Sequence, residues 1–146
     1  VALADGNVVT GLTVSSTGRL TLPYAASTVH VGKVISAALE TEDLEAGAQT
    51  GTAQSRMKRI SKLFIRVLNS LGGRQGTSED EDDTLKTDLL YRSAATPTDV
   101  SPPLFSGFLE VEAKAGHDRS AYIRLEHDEP LPFHVTGIVA ELNTAG

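Results

Sequence analysis

Hydrophobic and polar residues alternate along three stretches near the C-terminal end of the chain, which are residues 107–114, 119–126 and 133–142. A period of two is typical of strands that have one buried and one solvated face. Short connections, which contain Gly116 or Pro130, separate the three stretches. We therefore predict that residues 102–142 form an antiparallel three-stranded meander.

The first third of the chain has shorter apolar segments that are separated by residues that favour turns. Val8–Val14, Leu20–Leu22 and Val29–Val31 have the length of strands, and a turn signal at Asp5–Asn7 precedes them. Short strands with this spacing are typical of all-β domains. We therefore predict a mainly β fold, an antiparallel sandwich or barrel-like domain with little helix, and expect residues 1–146 to form one domain.

Residues 56–73 allow two interpretations. Apolar residues recur at helical spacing from Ile60 to Leu71, and the following pair of glycines would suit the C-terminus of a helix. The alternative is a strand, because Ile60, Ile65 and Val67 are β-formers with basic residues between them. Periodicity by itself favours the helix.

The acidic run Glu79–Asp83 consists of five consecutive carboxylates. Like charges at this spacing repel each other and favour a solvated loop. The run lacks the spaced ligands and the central glycine of a calcium loop, so we predict a hairpin tip. Residues 85–92 fit a strand that returns from this loop, whereas residues 34–44 fit either a helix or an extended loop.

Composition narrows the classes of function. The chain has no cysteine, which excludes a disulfide scaffold, a cysteine–zinc site and thiol catalysis. A net charge of −6 argues against a general nucleic-acid binder. No run of about 18 apolar residues occurs, so we expect no membrane-spanning helix. The chain begins VALADG, without methionine, and we expect it to be an excised piece of a longer protein.

Two histidine-containing clusters are candidates for a metal or acid–base site. His117–Asp118 and His127–Glu129 lie at the two ends of the second predicted strand. A strand of about eight residues separates its ends by roughly 25 Å, so we expect surface or turn residues instead of one shared site. The sequence contains no nucleophile elbow, phosphate loop or dinucleotide fingerprint. We predict no catalytic residue, no metal site and no cofactor.

Four stretches of the chain follow one another in a recognisable order. They are Val29–Lys33 after Gly18–Leu22, Met57–Val67 before Asn69–Gly72, Pro102–Gly107 before Gly116–Arg119, and Asp128–Phe133 running to Val139–Leu142. This ordered set resembles the tail nozzle proteins of short-tailed bacteriophages, also called tail tubular protein B. In that family the PPLF-x-G, G-x-D-R and PLP motifs belong to the C-terminal part of the protein.

The resemblance implies a β-rich C-terminal or platform portion of a virion tail protein. Members of the family assemble as hexameric rings below the adaptor and build the tube through which DNA leaves the capsid. The implied partners are therefore further copies of the chain, other tail or adaptor proteins, and DNA that passes without sequence-specific binding. The implied location is the virion tail, after assembly in the cytoplasm of the bacterial host.

The resemblance carries over no catalytic residue, and it favours a strand for residues 56–67 against the periodicity. The acidic insertion of residues 78–83 and the short N-terminus depart from the family. These departures leave a phage and a prophage origin open. The sequence also leaves open whether this chain alone is a monomer or a ring.

A head-to-tail ring needs two unlike, complementary faces on each copy. Two oppositely charged sets of residues are candidates for these faces: Arg56, Lys58, Arg59, Lys62 and Arg66, and Glu79, Asp80, Glu81, Asp82 and Asp83. We predict that the two sets lie on opposite sides of a subunit contact. The other interpretations of the basic set are a solvated face of one element and a contact with nucleic-acid phosphates.

The alternative function belongs to another class, a β-sandwich binding module that recognises a glycan, a host protein or a partner protein. Such a module requires an exposed aromatic patch. The candidate residues are Tyr24, Tyr91, Phe108 and Tyr122.

Overall fold

The computed structural model describes residues 1–45, 52, 56–76, 86–92, 97, 100–113 and 116–144. These residues form ten β-strands and contain no helix that could cross a membrane. The strands are β1 (Ala2–Ala4), β2 (Asn7–Val9), β3 (Val29–Val31), β4 (Ala37–Glu40), β5 (Lys58–Ser70), β6 (Arg74–Gly76), β7 (Thr87–Asp88), β8 (Phe105–Glu112), β9 (Arg124–His127) and β10 (Val135–Thr144). All seven strand pairings are antiparallel. The predicted mainly β, antiparallel fold is confirmed.

Two of the sheets form a sandwich. The first has the strand order β10-β5-β8, and the second has the order β4-β9-β6-β7. Their inward side chains form one buried cluster: Ile60, Leu63, Ile65, Val67, Leu89, Leu109, Val111, Ala113, Ala121, Ile123 and Leu125. Burial of each large aliphatic side chain contributes roughly 1.5–3 kcal/mol. This cluster is therefore the main apolar source of stability.

The prediction that residues 102–142 form a meander is wrong, although the alternation of buried and solvated side chains on which it was based is correct. Leu109 and Val111 in β8 are buried, as are Ile123 and Leu125 at β9. However, β8 and β10 lie on either side of β5, and β9 lies in the other sheet between β4 and β6. Alternation identifies the buried face of a strand but not its neighbour. Because β5 is 13 residues long, it pairs with both β8 and β10, and the chain after β8 crosses to the opposite sheet instead of turning in a hairpin.

Residues 58–70 form β5, so the helical interpretation is wrong and the strand interpretation is correct. The strand contains two irregularities: Ser61 is an extra residue opposite β10, and a second irregularity against β8 precedes Ser70. An extra residue changes the side to which the following side chains point. The buried residues Ile60 and Leu63 are consequently three positions apart, which imitates the spacing of a helix.

The third sheet lies at the N-terminal end and has the order β2-β1-β3. β1 and β2 form a hairpin whose turn residues, Asp5 and Gly6, have φ angles of 49° and 82°. The Asp5 carboxylate accepts hydrogen bonds from the backbone N–H groups of Ser27 and Thr28 at 2.9 and 2.8 Å. These two donors lower the pKa of Asp5. The carboxylate therefore ties the turn to the residues that precede β3.

Three further segments are shorter than predicted, and a fourth, for which two interpretations were open, is a strand. The strand predicted from Val8 ends at Val9, and residues 20–22 contribute a single bridge between Leu20 and Val14. Residues 37–40, for which helix and loop were open, form β4 at the edge of the second sheet. The return strand predicted over residues 85–92 is the two-residue β7.

The predicted acidic hairpin tip, Glu79–Asp83, lies outside the described residues. The strands before and after it, β6 and β7, pair antiparallel.

Candidate subunit interface

The sandwich has an open groove where β4 and the beginning of β10 approach each other, each at the edge of its sheet. The groove has a volume of about 270 Å³ and is lined by Ala37, Ala38, Leu39, Leu125, His127, Phe133 and Val135. Leu39 is 50% exposed. The inward side chains of β10, unlike those of β5, are only partly buried. An apolar groove of this kind is a surface that another chain can cover.

A second exposed apolar surface is the segment from Val29 to Ser36, called the arm below. All three residues of β3 are exposed, although two of them are valines. Val34 is 56% exposed and Ile35 is 81% exposed. Single exposed apolar residues are ordinary, but here four of them fall within seven residues. The arm is therefore a candidate contact surface.

β3 and β4 are both edge strands. Among the described residues, β3 pairs only with β1, and β4 pairs only with β9. An exposed edge offers backbone N–H and C=O groups to a strand of another chain, unless charged residues or proline prevent pairing. The arm contains no proline, and Lys33 is its only charged residue apart from the titratable His30. The edge of β3 therefore has little protection against pairing with another strand.

The N-terminal region and the rest of the chain differ in charge. Residues 6–39 contain two basic residues, Arg19 and Lys33, and no acidic residue. The whole chain has a net charge of −6. Apart from Asp5, all of the acidic residues therefore lie from Glu40 onward in the sequence. This absence of carboxylates is the signal in the sequence by which the arm could have been found, and the alternation of apolar and polar residues does not contain it.

Lys58, one of the five predicted basic interface residues, does not lie on the surface. Its side chain is 0% exposed, and its Nζ donates hydrogen bonds to the Asp43 carboxylate at 2.9 Å and to the Leu44 carbonyl at 3.0 Å. Its backbone pairs with Asp118. Asp43 also accepts a hydrogen bond from the Ala121 N–H at 2.6 Å. Lys58 therefore joins three segments of the chain inside the domain.

The hydrogen bond from Lys58, followed by the one from the Ala121 backbone, lowers the pKa of Asp43. The carboxylate is half exposed, with 43% of its side chain accessible. The ion pair is thus buried at its cationic end and open to solvent at its anionic end.

Three of the predicted basic residues, Arg59, Lys62 and Arg66, are exposed on β5. Lys62 pairs with Glu110 of β8 at 2.6 Å, and the guanidinium of Arg66 lies 5.7 Å from the ring centroid of Phe108. Both partners belong to the same domain, so the structure places acidic and aromatic groups beside this basic strand.

Arg56 is partly buried. The acidic half of the predicted contact, residues 79–83, lies outside the described residues. A contact between the two charged sets stays a prediction, and within the sandwich Lys62 pairs with Glu110.

The second sheet carries a set of ion pairs that is more deeply buried than the Lys62–Glu110 pair. Glu126 of β9 bonds Lys86 at 2.9 Å and Arg124 at 2.7 Å, and Arg124 also reaches Glu40 of β4 at 3.2 Å. The side chains of Lys86 and Glu126 are only 11% and 13% exposed. Hydrogen bonds from Lys86 and then Arg124 lower the pKa of Glu126. This network connects β4 to β9 and thereby supports one wall of the groove.

The two histidine clusters lie near opposite ends of β5. Asp118 pairs with Lys58 at the start of the strand. The Nε2–H of His127 donates a 2.7 Å hydrogen bond to the Leu131 carbonyl, and the ring stacks on Phe133 with centroids 5.1 Å apart. Among the described residues, no group of three or more His, Cys, Asp or Glu side chains could hold a metal ion. In this arrangement His127 packs as part of the groove wall.

The bend after β5 occurs at Gly72 and Gly73, whose φ angles are 72° and 91°. A Cβ atom at Gly73 would lie 3.0 Å from the Phe133 ring, so the bend needs glycine for its conformation and for space. The Tyr91 hydroxyl donates to the Gly72 carbonyl at 2.9 Å. Burial, together with the nearby charge of Glu129, raises the pKa of Tyr91 to about 12. Tyr91 is therefore a neutral donor that holds the bend.

The four aromatic candidates of the alternative function have different surroundings. Tyr91 is partly buried and its ring contacts Phe105 edge-on. Tyr24 is 43% exposed in the N-terminal region, and Phe108 is 58% exposed on β8. Tyr122 is partly buried. Phe108, with Arg66 over its ring, is therefore the best-placed aromatic group on the sandwich surface.

Comparison of the chain with models of known protein families gives no match, and neither does comparison with curated proteins.

Proposed function

We propose that this chain is a structural and assembly domain of a phage or prophage tail, and that it forms part of the ring or nozzle through which DNA is ejected. The observation that carries the proposal is the exposed apolar arm with its unprotected strand edge. A surface of this kind is an aggregation risk unless another chain covers it, and an assembly provides that cover. The order of motifs that resembles nozzle proteins indicates which kind of assembly this is.

The arm and the groove are two unlike surfaces on one chain. Unlike surfaces that fit each other produce head-to-tail contacts, which close into rings when the rotation between copies allows it. The proposed partners are thus further copies of the chain, with adaptor and other tail proteins above and below the ring. The ejected DNA passes through without sequence-specific contacts, in keeping with the acidic charge of the chain.

The direct test is the oligomeric state of the purified chain. We expect light scattering after size-exclusion chromatography to show a defined oligomer that dissociates on dilution, and negative-stain electron microscopy to show rings. A monomer at every concentration from micromolar to millimolar would contradict the proposal.

A separate experiment tests the alternative function, a binding module, because that function depends on Phe108 and not on assembly. In that case a glycan array would give a specific signal with the monomer, and Phe108→Ala would abolish that signal. Assembly without glycan binding supports the structural role.

A further inference from the structure

The free edge of β3 and the free edge of β4 are suited to each other. β3 has three residues and β4 has four, so their lengths match. Each ends its sheet among the described residues, since the orders are β2-β1-β3 and β4-β9-β6-β7. Pairing of the two edges would join these sheets into one continuous sheet of seven strands. Main-chain hydrogen bonds of this kind are the usual basis of binding by strand addition.

The two strands do not pair within one chain. β3 is paired with β1 through Ala2 opposite Val31 and Ala4 opposite Val29, while β4 is paired with β9. The strands belong to separate sheets, and the residues between them do not close a hairpin. The free edge of β4 is therefore available to a β3 strand from another copy.

Apolar complementarity extends the match beyond the backbone. Val29, Val31, Lys33 and Ile35 point to the same side if the arm is extended, because side chains alternate along a strand. Val31 and Ile35, which are 58% and 81% exposed, would then face one surface. The groove beside β4 presents Leu39, Phe133 and Val135. The exposed apolar residues of the arm thus have an apolar surface next to the edge on which the arm would pair.

Charge favours the same arrangement. The arm carries Lys33, and no carboxylate occurs between Gly6 and Leu39. β4 ends at Glu40, which pairs with Arg124, and two further acidic residues follow within three positions: the exposed Glu42 and the half-exposed Asp43, which pairs with Lys58. A basic segment that pairs beside this acidic stretch is attracted to it, whereas two acidic segments would repel each other.

We propose that the arm of one copy adds to the β4 edge of a second copy of this chain, with Ile35 in the groove between β4 and β10. The contact is head-to-tail, because each copy donates an arm and accepts one. This inference rests on the proposed assembly function and specifies the interface that performs it.

Single-cysteine variants test the contact directly, since the natural chain has no cysteine. Val31→Cys in one preparation and Ala38→Cys in another are mixed at equal concentration and treated with a short bismaleimide. Residues opposite each other on neighbouring strands have Cα atoms about 4.5–5.5 Å apart, within reach of the reagent. We expect the mixture to give a covalent dimer on a denaturing gel in higher yield than either variant alone. The matched control pairs Ala38→Cys with Thr17→Cys, an exposed position outside the arm, and should give only background.

Ile35→Asp tests the same contact without a cross-link. Ile35 is the most exposed large apolar residue of the arm, so its replacement should leave the melting temperature of the monomer unchanged. We expect the association constant to fall by about 10- to 100-fold, from the loss of one buried aliphatic side chain and the addition of a charge. Leu90→Asp is the control, because Leu90 is 79% exposed and lies outside both the arm and the groove.

The outcomes separate the two proposals. Two results together support the arm exchange. The covalent dimer forms in the mixture of Val31→Cys and Ala38→Cys but not in the control mixture, and Ile35→Asp weakens association whereas Leu90→Asp does not. If the chain forms an oligomer but shows neither the specific cross-link nor the weakened association of Ile35→Asp, the arm exchange is overturned and the assembly function is left intact. A monomer at every concentration overturns both proposals. Efficient cross-linking inside a single chain that carries both cysteines, without a mixed dimer, shows that the arm closes on its own β4 and also overturns the exchange.

Discussion

The sandwich and the N-terminal region differ in how far their apolar side chains are buried. In the sandwich, the inward side chains of β5, β8 and β9 are almost completely buried. In the N-terminal region, Ala2, Ala4 and Val9 are the buried apolar residues, and the valines of β3 are exposed. Because the valines of β3 are exposed, they contribute little buried apolar area to the folded chain. One region therefore contains the buried core, and the other leaves apolar side chains exposed.

The largest effect should come from opening the core of the sandwich at β5. Ile65 is 0% exposed and lies opposite Leu109 and Ile138 of the two neighbouring strands. We expect Ile65→Ala to reduce the free energy of unfolding by about 2–5 kcal/mol, because it removes buried methyl groups and leaves a cavity. Urea denaturation measures this loss. Leu68→Ala on the same strand, at a position that is 52% exposed, is the control and should change stability far less. Equal losses at the two positions would contradict the assigned core.

A smaller loss should follow from removing the buried cation. Lys58→Met keeps most of the aliphatic stem but leaves Asp43 without its charged partner. We expect a loss of about 1–3 kcal/mol in the free energy of unfolding, the usual cost of removing a hydrogen-bonded charge. Arg59→Met, at the adjacent exposed position, should have no measurable effect in the same urea titration. A neutral Lys58→Met would show that the three joined segments hold together without this residue.

The Asp43–Lys58 pair also has a pH signature. The folded-state pKa of Asp43 is lowered, so its contribution is present above its unfolded value of about 3.9 and is lost as pH falls through the lower folded value. In Lys58→Met this acid-dependent loss should shrink. Thermal melts from pH 6 down to pH 2, compared between the two proteins, measure the difference. Parallel curves would contradict the contribution of the ion pair.

The next largest loss of stability should differ between the ion pairs of the two sheets. Glu126 is 13% exposed and bonds two cations, whereas the side chain of Glu110 is 53% exposed and bonds one. We expect Glu126→Gln to cost about 1–2 kcal/mol, since it weakens two charge-assisted hydrogen bonds in a partly buried site. Glu110→Gln should leave stability unchanged, as is usual for exposed pairs. A larger loss for Glu110→Gln in paired urea titrations would reverse this assignment.

The smallest global effect should come from the N-terminal turn. Asp5→Ala removes the acceptor for the Ser27 and Thr28 N–H groups. We expect faster hydrogen exchange at β1, β2 and β3, with unchanged exchange at β5 and unchanged global melting. Asn7→Ala in the same hairpin is the control. Loss of protection in β5 as well would show that the two regions unfold as one unit.

The alternating pattern of the C-terminal half was sufficient to predict a mainly β fold and the buried face of several segments. Val111 and Leu125 lie at apolar positions of this alternation, and both are buried, because side chains alternate between the two faces of a strand. The helical spacing of β5 was misleading, because the extra residue Ser61 shifts the buried positions. Pairing could not be predicted from the alternation, since every strand edge offers the same backbone groups to any neighbour.

The basic residues of β5 show a similar limit. Lys58 and Arg59 are adjacent in sequence and chemically alike, yet one is buried and the other exposed. Which of them faces inward depends on the strand and its register. Asp43, the partner of Lys58, is 15 residues away in the sequence, and no local pattern predicts that ion pair.

The amino-acid sequence by itself determined that this protein is built from strands, that it has no thiol chemistry, and that its N-terminal segment is basic relative to the rest. Composition and the local alternation of side chains are enough for these properties. Only the tertiary structure decided that β5 lies between β8 and β10, that Lys58 is internal, and that the valines of β3 are exposed. These properties depend on contacts between segments far apart in the chain. No single segment of the sequence determines the free energy of such contacts.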